Sequence, residues 1–183
     1  DWVRTDLQYR DRDGSETMLF DLITFALFDI YILKRAGAER DYSSEILSRA
    51  KERYGQMNDD EKEKLAYNII VYTQGFVNSA VTDSEDYISL FTRALNRYSA
   101  IDKAVLRNHF SIFIKEVVPV AEQYGIRLCI HPDDPAFPLL GLPRMAGSIE
   151  DFEWIFSQAA SVANGFTLCT GSLASRFGND PVE

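Results

Sequence analysis

The chain has 183 residues, 46% hydrophobic and 13% aromatic, which suffices for one domain with a core and excludes a disordered chain. A net charge of −9 argues against nucleic acid or an anionic membrane as partner, because phosphate binding needs a basic face; local arginines can still hold a small anion. Two cysteines make no disulfide framework and fit a reducing cytoplasm, and neither a signal peptide nor a run of about 18 apolar residues is present.

Asp13-Gly14 is a turn dipeptide between two alternating segments, so residues 6–10 and 16–20 read as a hairpin. The dense apolar run over residues 21–34 reads as a buried helix, and residues 34–42 as a loop. Ser43 then caps a helix to about Tyr54, with Ile46, Leu47, Ala50 and Tyr54 on one face. Asn58 and Glu61 form a capping-box pair for the next helix, which turns Leu65, Ile69 and Tyr72 inward and ends near Gly75. A third helix starts near Asp83 and sets Tyr87, Leu90, Phe91, Ala94 and Tyr98 at helical spacing. The tyrosines of these helices read as packing.

Asp102 opens a long helix to about Tyr124, with Phe110, Phe113, Val117, Ala121 and Tyr124 as its buried stripe, a kink or joint at Pro119 and a stop at Gly125. A strand follows over Arg127 to Ile130. Ser148 caps another helix, whose inner face carries Phe152, Ile155, Phe156, Ala159 and Val162. Asn164-Gly165 reads as a turn and Phe166 to Leu168 as the next strand. Helix, strand, helix, strand is the alternation of a parallel sheet or barrel. The chain starts on Asp1 without an initiator methionine and stops on Glu183, which reads as a piece of a longer protein.

In parallel α/β folds the loops at strand carboxyl ends carry the chemistry. His131 and Cys169 both sit at such ends. Imidazole and thiolate suit a borderline divalent ion such as zinc, manganese or iron, although a lone histidine or cysteine is more often a satisfied polar or small core residue. Asp133 and Asp134 either orient His131, bind a substrate hydroxyl, or lie in a solvated turn. Pro132, Pro135, Pro138 and Pro143 stiffen the loop. Arg4, Arg144 and Arg176 are candidate carboxylate clamps, since guanidinium grips carboxylate at two points. Thr170, Gly171 and Ser172 either bind an anionic oxygen or make a turn. His109 reads as structural.

HPDDPAFPLLGLPR followed by ANGFTLCTGSLASRFGND closely resembles the mannonate dehydratases, and DWVRTDL, ILKRAGA and IDKAVLRNHFSIFIKEVVPVAEQYG fit the same family in the same order. The resemblance implies a (β/α)8 TIM barrel related to sugar isomerases. This chain would supply a partial barrel as a single domain, with a helix-rich insertion at about residues 20–100. The family dehydrates D-mannonate to 2-keto-3-deoxy-D-gluconate in glucuronate breakdown, using manganese or iron(II). Carried over, His131 and Cys169 are metal ligands, and Trp2 and Arg4 line the substrate pocket. Asp133, Asp134, Arg144, Thr170 and Ser172 join them as candidate substrate contacts.

Family members are roughly twice as long, so the remaining ligands, a histidine and an aspartate, and the acid/base set are expected outside these residues. On that expectation the 183 residues alone show little activity. The expected partner is a small sugar acid, with a homodimer possible within the family and no nucleic acid or membrane. Two other classes remain: a related metal-dependent isomerase or epimerase, which would retain the water that a dehydratase removes, and a non-catalytic helical interaction module.

Overall fold

The computed structural model describes residues 2–73 and 86–182, in two compact units, Asp1–Tyr98 and Ser99–Glu183. Among the described residues no helix is long and apolar enough to cross a membrane.

In the first unit, β1 (Asp6–Arg10) and β2 (Glu16–Leu19) pair antiparallel. Gly14, at φ 86°, makes the turn, and Asp13 Oδ1 accepts from the Ser15 amide and hydroxyl. Helix α1 (Leu22–Leu27) is capped by Asp21, whose carboxylate also receives Arg53 at 2.6 Å from the second helix. The expected buried helix continues as a π turn, Phe28–Ile32, which turns Asp29 fully inward.

Arg35 grips both Asp29 oxygens at 2.8 and 2.7 Å and also reaches Asp41, while the Tyr42 hydroxyl donates to Asp29. Burial opposes the Arg35 charge, yet the bonds to Asp29 and Asp41 outweigh it and raise the pKa. Burial, reinforced by the Asp29 charge, raises the Tyr42 phenol as well. The segment read as a plain loop is therefore held by a buried ionic knot, with a short 3-10 turn at Ala38–Asp41.

Helices α2 (Ser44–Gln56) and α3 (Asp59–Tyr67) begin where their caps place them, at Ser43 and at the Asn58–Glu61 box. Ala50, Leu65 and Ile69 are buried as expected. Tyr72, expected inward, is 60% exposed. A second π turn, Asn68–Tyr72, accounts for this: its bond from the Thr73 amide to the Asn68 carbonyl spans an extra residue and rotates the end of the helix. Helix α4 (Tyr87–Asn96) buries Phe91 and leaves Tyr98, beyond its end, 54% exposed. The expected helix end near Gly75 and start near Asp83 lie outside the described residues.

The second unit carries the expected alternation. Helix α5 (Lys103–Gln123), capped by Asp102, leads through Gly125 at φ 67° into β3 (Leu128–Ile130). Helix α6 (Ile149–Gln158), capped by Ser148, leads into β4 (Asn164–Phe166), and the short α7 (Thr170–Ala174) follows. Strands β3 and β4 pair in parallel, Leu128 opposite Asn164 and Ile130 opposite Phe166. Such a pair, with α6 as crossover, is one βαβ unit.

Two expectations shift by a residue or two. The buried face of α5 is Ile114, Val118 and Ala121 with Phe110 partly covered; Phe113 and Tyr124 are exposed at 54% and 71%. The helix carries two adjacent apolar stripes, and Leu128, Ile130 and Ala163 pack on only one of them. Asn164-Gly165 is not a turn but the start of β4. The Asn164 side chain donates to the carbonyls of Ile155 and Ala159, closing the end of α6 and drawing the strand in early. A second cluster, Ala146, Phe152, Ile155 and Leu173, fills the space beneath the carboxyl ends of the strands, while Val162 stays exposed.

Candidate active site

Leu128 and Ile130 pack against the helices, so Cys129 lies on the opposite, exposed face of β3, and strand alternation carries His131 to the same side. The Thr167 amide donates to the Ile130 carbonyl at 2.9 Å and extends the parallel pairing past the strand ends. This continuation brings His131 near enough to Cys169 for the imidazole to contribute to lowering the thiol's pKa.

The ring has one usable orientation. Nδ1 lies 2.7 Å from the Pro132 carbonyl, which only accepts, so Nδ1 is the donor there and Nε2 is the nitrogen left for another partner. On the other side, Ser172 Oγ lies 3.1 Å from Cys169 Sγ. The Ser172 hydroxyl first, then the Ser172 backbone and His131, hold the thiol below its ordinary pKa, with burial opposing them weakly. An imidazole nitrogen beside a thiol is the kind of pair that suits a borderline divalent ion. Among the described residues no group of three or more His, Cys, Asp or Glu side chains is placed to hold a metal.

The loop that begins at His131 is braced from within. Asp133 Oδ2 accepts from the Met145 and Ala146 amides, both at 2.9 Å, and the Asp133 amide donates to the Ala146 carbonyl. Asp133 thus serves as a brace for the loop. Arg144, 13% exposed, donates to the Phe137 carbonyl and stands 3.6 Å from Asp133. Burial lowers its pKa, and Asp133 and Asp134 restore part of the loss. Thr170 is exposed at the start of α7, whereas Ser172 is buried against the sulfur. Trp2 and Arg4 belong to the first unit, where the Arg4 guanidinium lies 5.4 Å from the centre of the Trp2 ring.

Two residues not anticipated as functional, Ser175 and Asn179, connect the segments that carry His131 and Cys169, and a third, Asp151, ties the His131 loop to α6. Ser175 Oγ accepts from the Ala136 amide at 2.9 Å and donates to the Ser172 carbonyl at 2.6 Å. Asn179 Nδ2 donates to the carbonyls of Gly147 and Leu173. Asp151 accepts from the Gly147 amide. No local pattern marks Ser175 or Asn179, because their partners lie far along the chain; the spacing Cys-x-x-Ser was the one visible signal, for Ser172.

Gly147 sits where this bracing is tightest: a Cβ there would stand 2.6 Å from the Ala136 carbonyl oxygen, which is main chain and cannot rotate aside. Gly147→Ala is therefore expected to cost about 1–3 kcal/mol through overpacking. Urea unfolding followed by circular dichroism checks it, and an unchanged midpoint would contradict the close approach.

The family profile described as D-mannonate dehydratase (UxuA) matches residues 1–183. A "Mannonate dehydratase" of Marinomonas sp. (strain MWYL1) is 45% identical over 184 residues, covering 100% of this chain and 45% of its own length. One from Saccharophagus degradans is 39% identical over 182 residues, covering 100% of this chain and 44% of its own length. The chain thus spans less than half the length of these curated relatives. The crystal structure of mannonate dehydratase from Streptococcus suis serotype2 aligns with a TM-score of 0.54 at 24% identity, covering 100% of this chain and 36% of that one, and this supports the fold alone.

Proposed function

The chain belongs to the D-mannonate dehydratase family, and from that premise we propose that it forms the metal-binding part of a hydro-lyase that converts D-mannonate to 2-keto-3-deoxy-D-gluconate. The reading is supported above all by one observation: an imidazole and an acidified thiol meet at the carboxyl ends of two adjacent parallel strands. We take β3 and β4, with α5 and α6 behind them, to be part of a (β/α)8 barrel.

In this proposal His131 Nε2 and Cys169 Sγ hold a divalent manganese or iron ion. When bound, the ion supplies Lewis-acid stabilisation of negative charge on the substrate, several kcal/mol in such sites. Arg144, mostly buried in the loop that begins at His131, would grip the sugar-acid carboxylate with its guanidinium. Asp134 and Thr170 offer hydrogen bonds to substrate hydroxyls, and Trp2 and Arg4 are assigned to substrate by the family resemblance. Proton removal next to the carboxylate and protonation of the departing hydroxyl fall to groups outside these residues.

The test is product analysis on the protein at its natural length, incubated with D-mannonate and Mn2+. A 2-keto-3-deoxy acid should form and a chelator should stop it. An isomer with the same oxygen count, or conversion indifferent to chelation, would remove the reading.

A further inference from the structure

We infer that Ser172 is a positioning residue for Cys169, its buried hydroxyl holding the sulfur in the direction that lets it share an ion with His131. The inference deepens the proposed function and rests on it.

Ser172 is 2% exposed, so its hydroxyl has no access to bulk solvent and must find its partner within the protein. Its partner is Cys169 Sγ, at 3.1 Å. When the sulfur is a thiolate it can only accept, so the hydroxyl donates to it. The contact fixes the sulfur's direction, because turning it away would strand a buried donor. The serine itself is well anchored. Its carbonyl receives the Ser175 amide at 3.2 Å and the Ser175 hydroxyl at 2.6 Å. Ser175 Oγ in turn accepts from the Ala136 amide in the loop that begins at His131. The Ser172 hydroxyl is thus positioned relative to both donor-bearing segments, and hydrogen bonds of this kind orient metal ligands and tune their strength.

Its effect is separable from general stability, because Ser111→Ala removes a 2.8 Å bond to Gln158 between α5 and α6 without touching the sulfur or the groups that anchor Ser172. The experiment uses the protein at its natural length, stripped of metal and titrated with Co2+, whose thiolate bond gives a near-ultraviolet charge-transfer band. Wild type should show the band and Cys169→Ala should lack it. Ser172→Ala is expected to bind Co2+ about 10–100-fold more weakly, with a displaced band, while Ser172→Thr, which keeps the hydroxyl, recovers both. Ser111→Ala should leave the band in place even where it lowers the unfolding midpoint. Wild-type affinity and an unchanged band in Ser172→Ala would overturn the positioning role, as would an equal loss in Ser111→Ala. Absence of any thiolate band in wild type would overturn the proposed function together with this inference.

Discussion

Cys169→Ala, made in the protein at its natural length, is expected to lower kcat/KM for D-mannonate by about a thousandfold or more. A ligand that helps stabilise developing charge contributes on the order of 4 kcal/mol, and each 1.4 kcal/mol is a factor of about ten. The loss should appear with a loss of bound metal and little change in folding, because Cys169 is a partly exposed residue outside the two apolar clusters of its unit. His131→Ala should behave in the same way if, as proposed, His131 is the second ligand. Turnover and metal content measured on one preparation check both. Full activity with a normal metal load in either variant would show that the imidazole–thiol pair is not a ligand pair.

Asp151→Ala is expected to destabilise the second unit by about 3 kcal/mol, at the low end for breaking a buried ion pair. Asp151 is 1% exposed and receives Lys103 at 2.6 Å and Arg107 at 2.8 Å, joining α5 to α6. The two cations are 47% and 30% exposed, so water compensates part of what they lose. Arg107 also stacks 4.8 Å from the centre of the Trp154 ring and already has a buried Nε with no hydrogen-bond partner. Without Asp151 that guanidinium would keep its burial and lose its counter-charge.

A pH dependence follows with a definite sign. Burial alone would raise the Asp151 pKa, but the bonds from Lys103 and Arg107 outweigh it and lower it. A depressed carboxylate stabilises the fold fully above the ordinary range near pH 4 and loses that contribution as pH falls through the lowered value. Urea midpoints measured down the acid limb should therefore fall less steeply in Asp151→Ala than in wild type. Parallel limbs would assign the acid sensitivity to other groups.

Local chemistry was legible in the residues themselves. Ser43, the Asn58–Glu61 box, Asp102 and Ser148 all cap the helices they announce, because each cap bonds to an amide within three residues. The Asp13-Gly14 hairpin and the order of α5, β3, α6 and β4 were readable for the same reason. Less legible was which face of α5 is covered. Phe113 and Ile114 are equally apolar, and only the packing of Leu128, Ile130 and Ala163 decides between them. The buried charges Asp29 and Asp151 give no signal in a sequence either. An inward aspartate looks like any surface aspartate until Arg35 or Arg107 arrives to neutralise it.

The same division holds at the site. By itself, the order of residues determined family membership and the two donors at strand ends, because long motifs and strand grammar are properties of a linear chain. The parallel pairing of β3 with β4 decided that imidazole and sulfur meet. The first turn of α7 decided that Ser172 faces the sulfur, and the return of the chain to Met145 and Ala146 decided that Asp133 braces its own loop. The physical reason is distance along the chain: a hydroxyl or carboxylate acquires its role from whichever group tertiary packing sets within about 3 Å of it, and spacing in a sequence does not measure that distance.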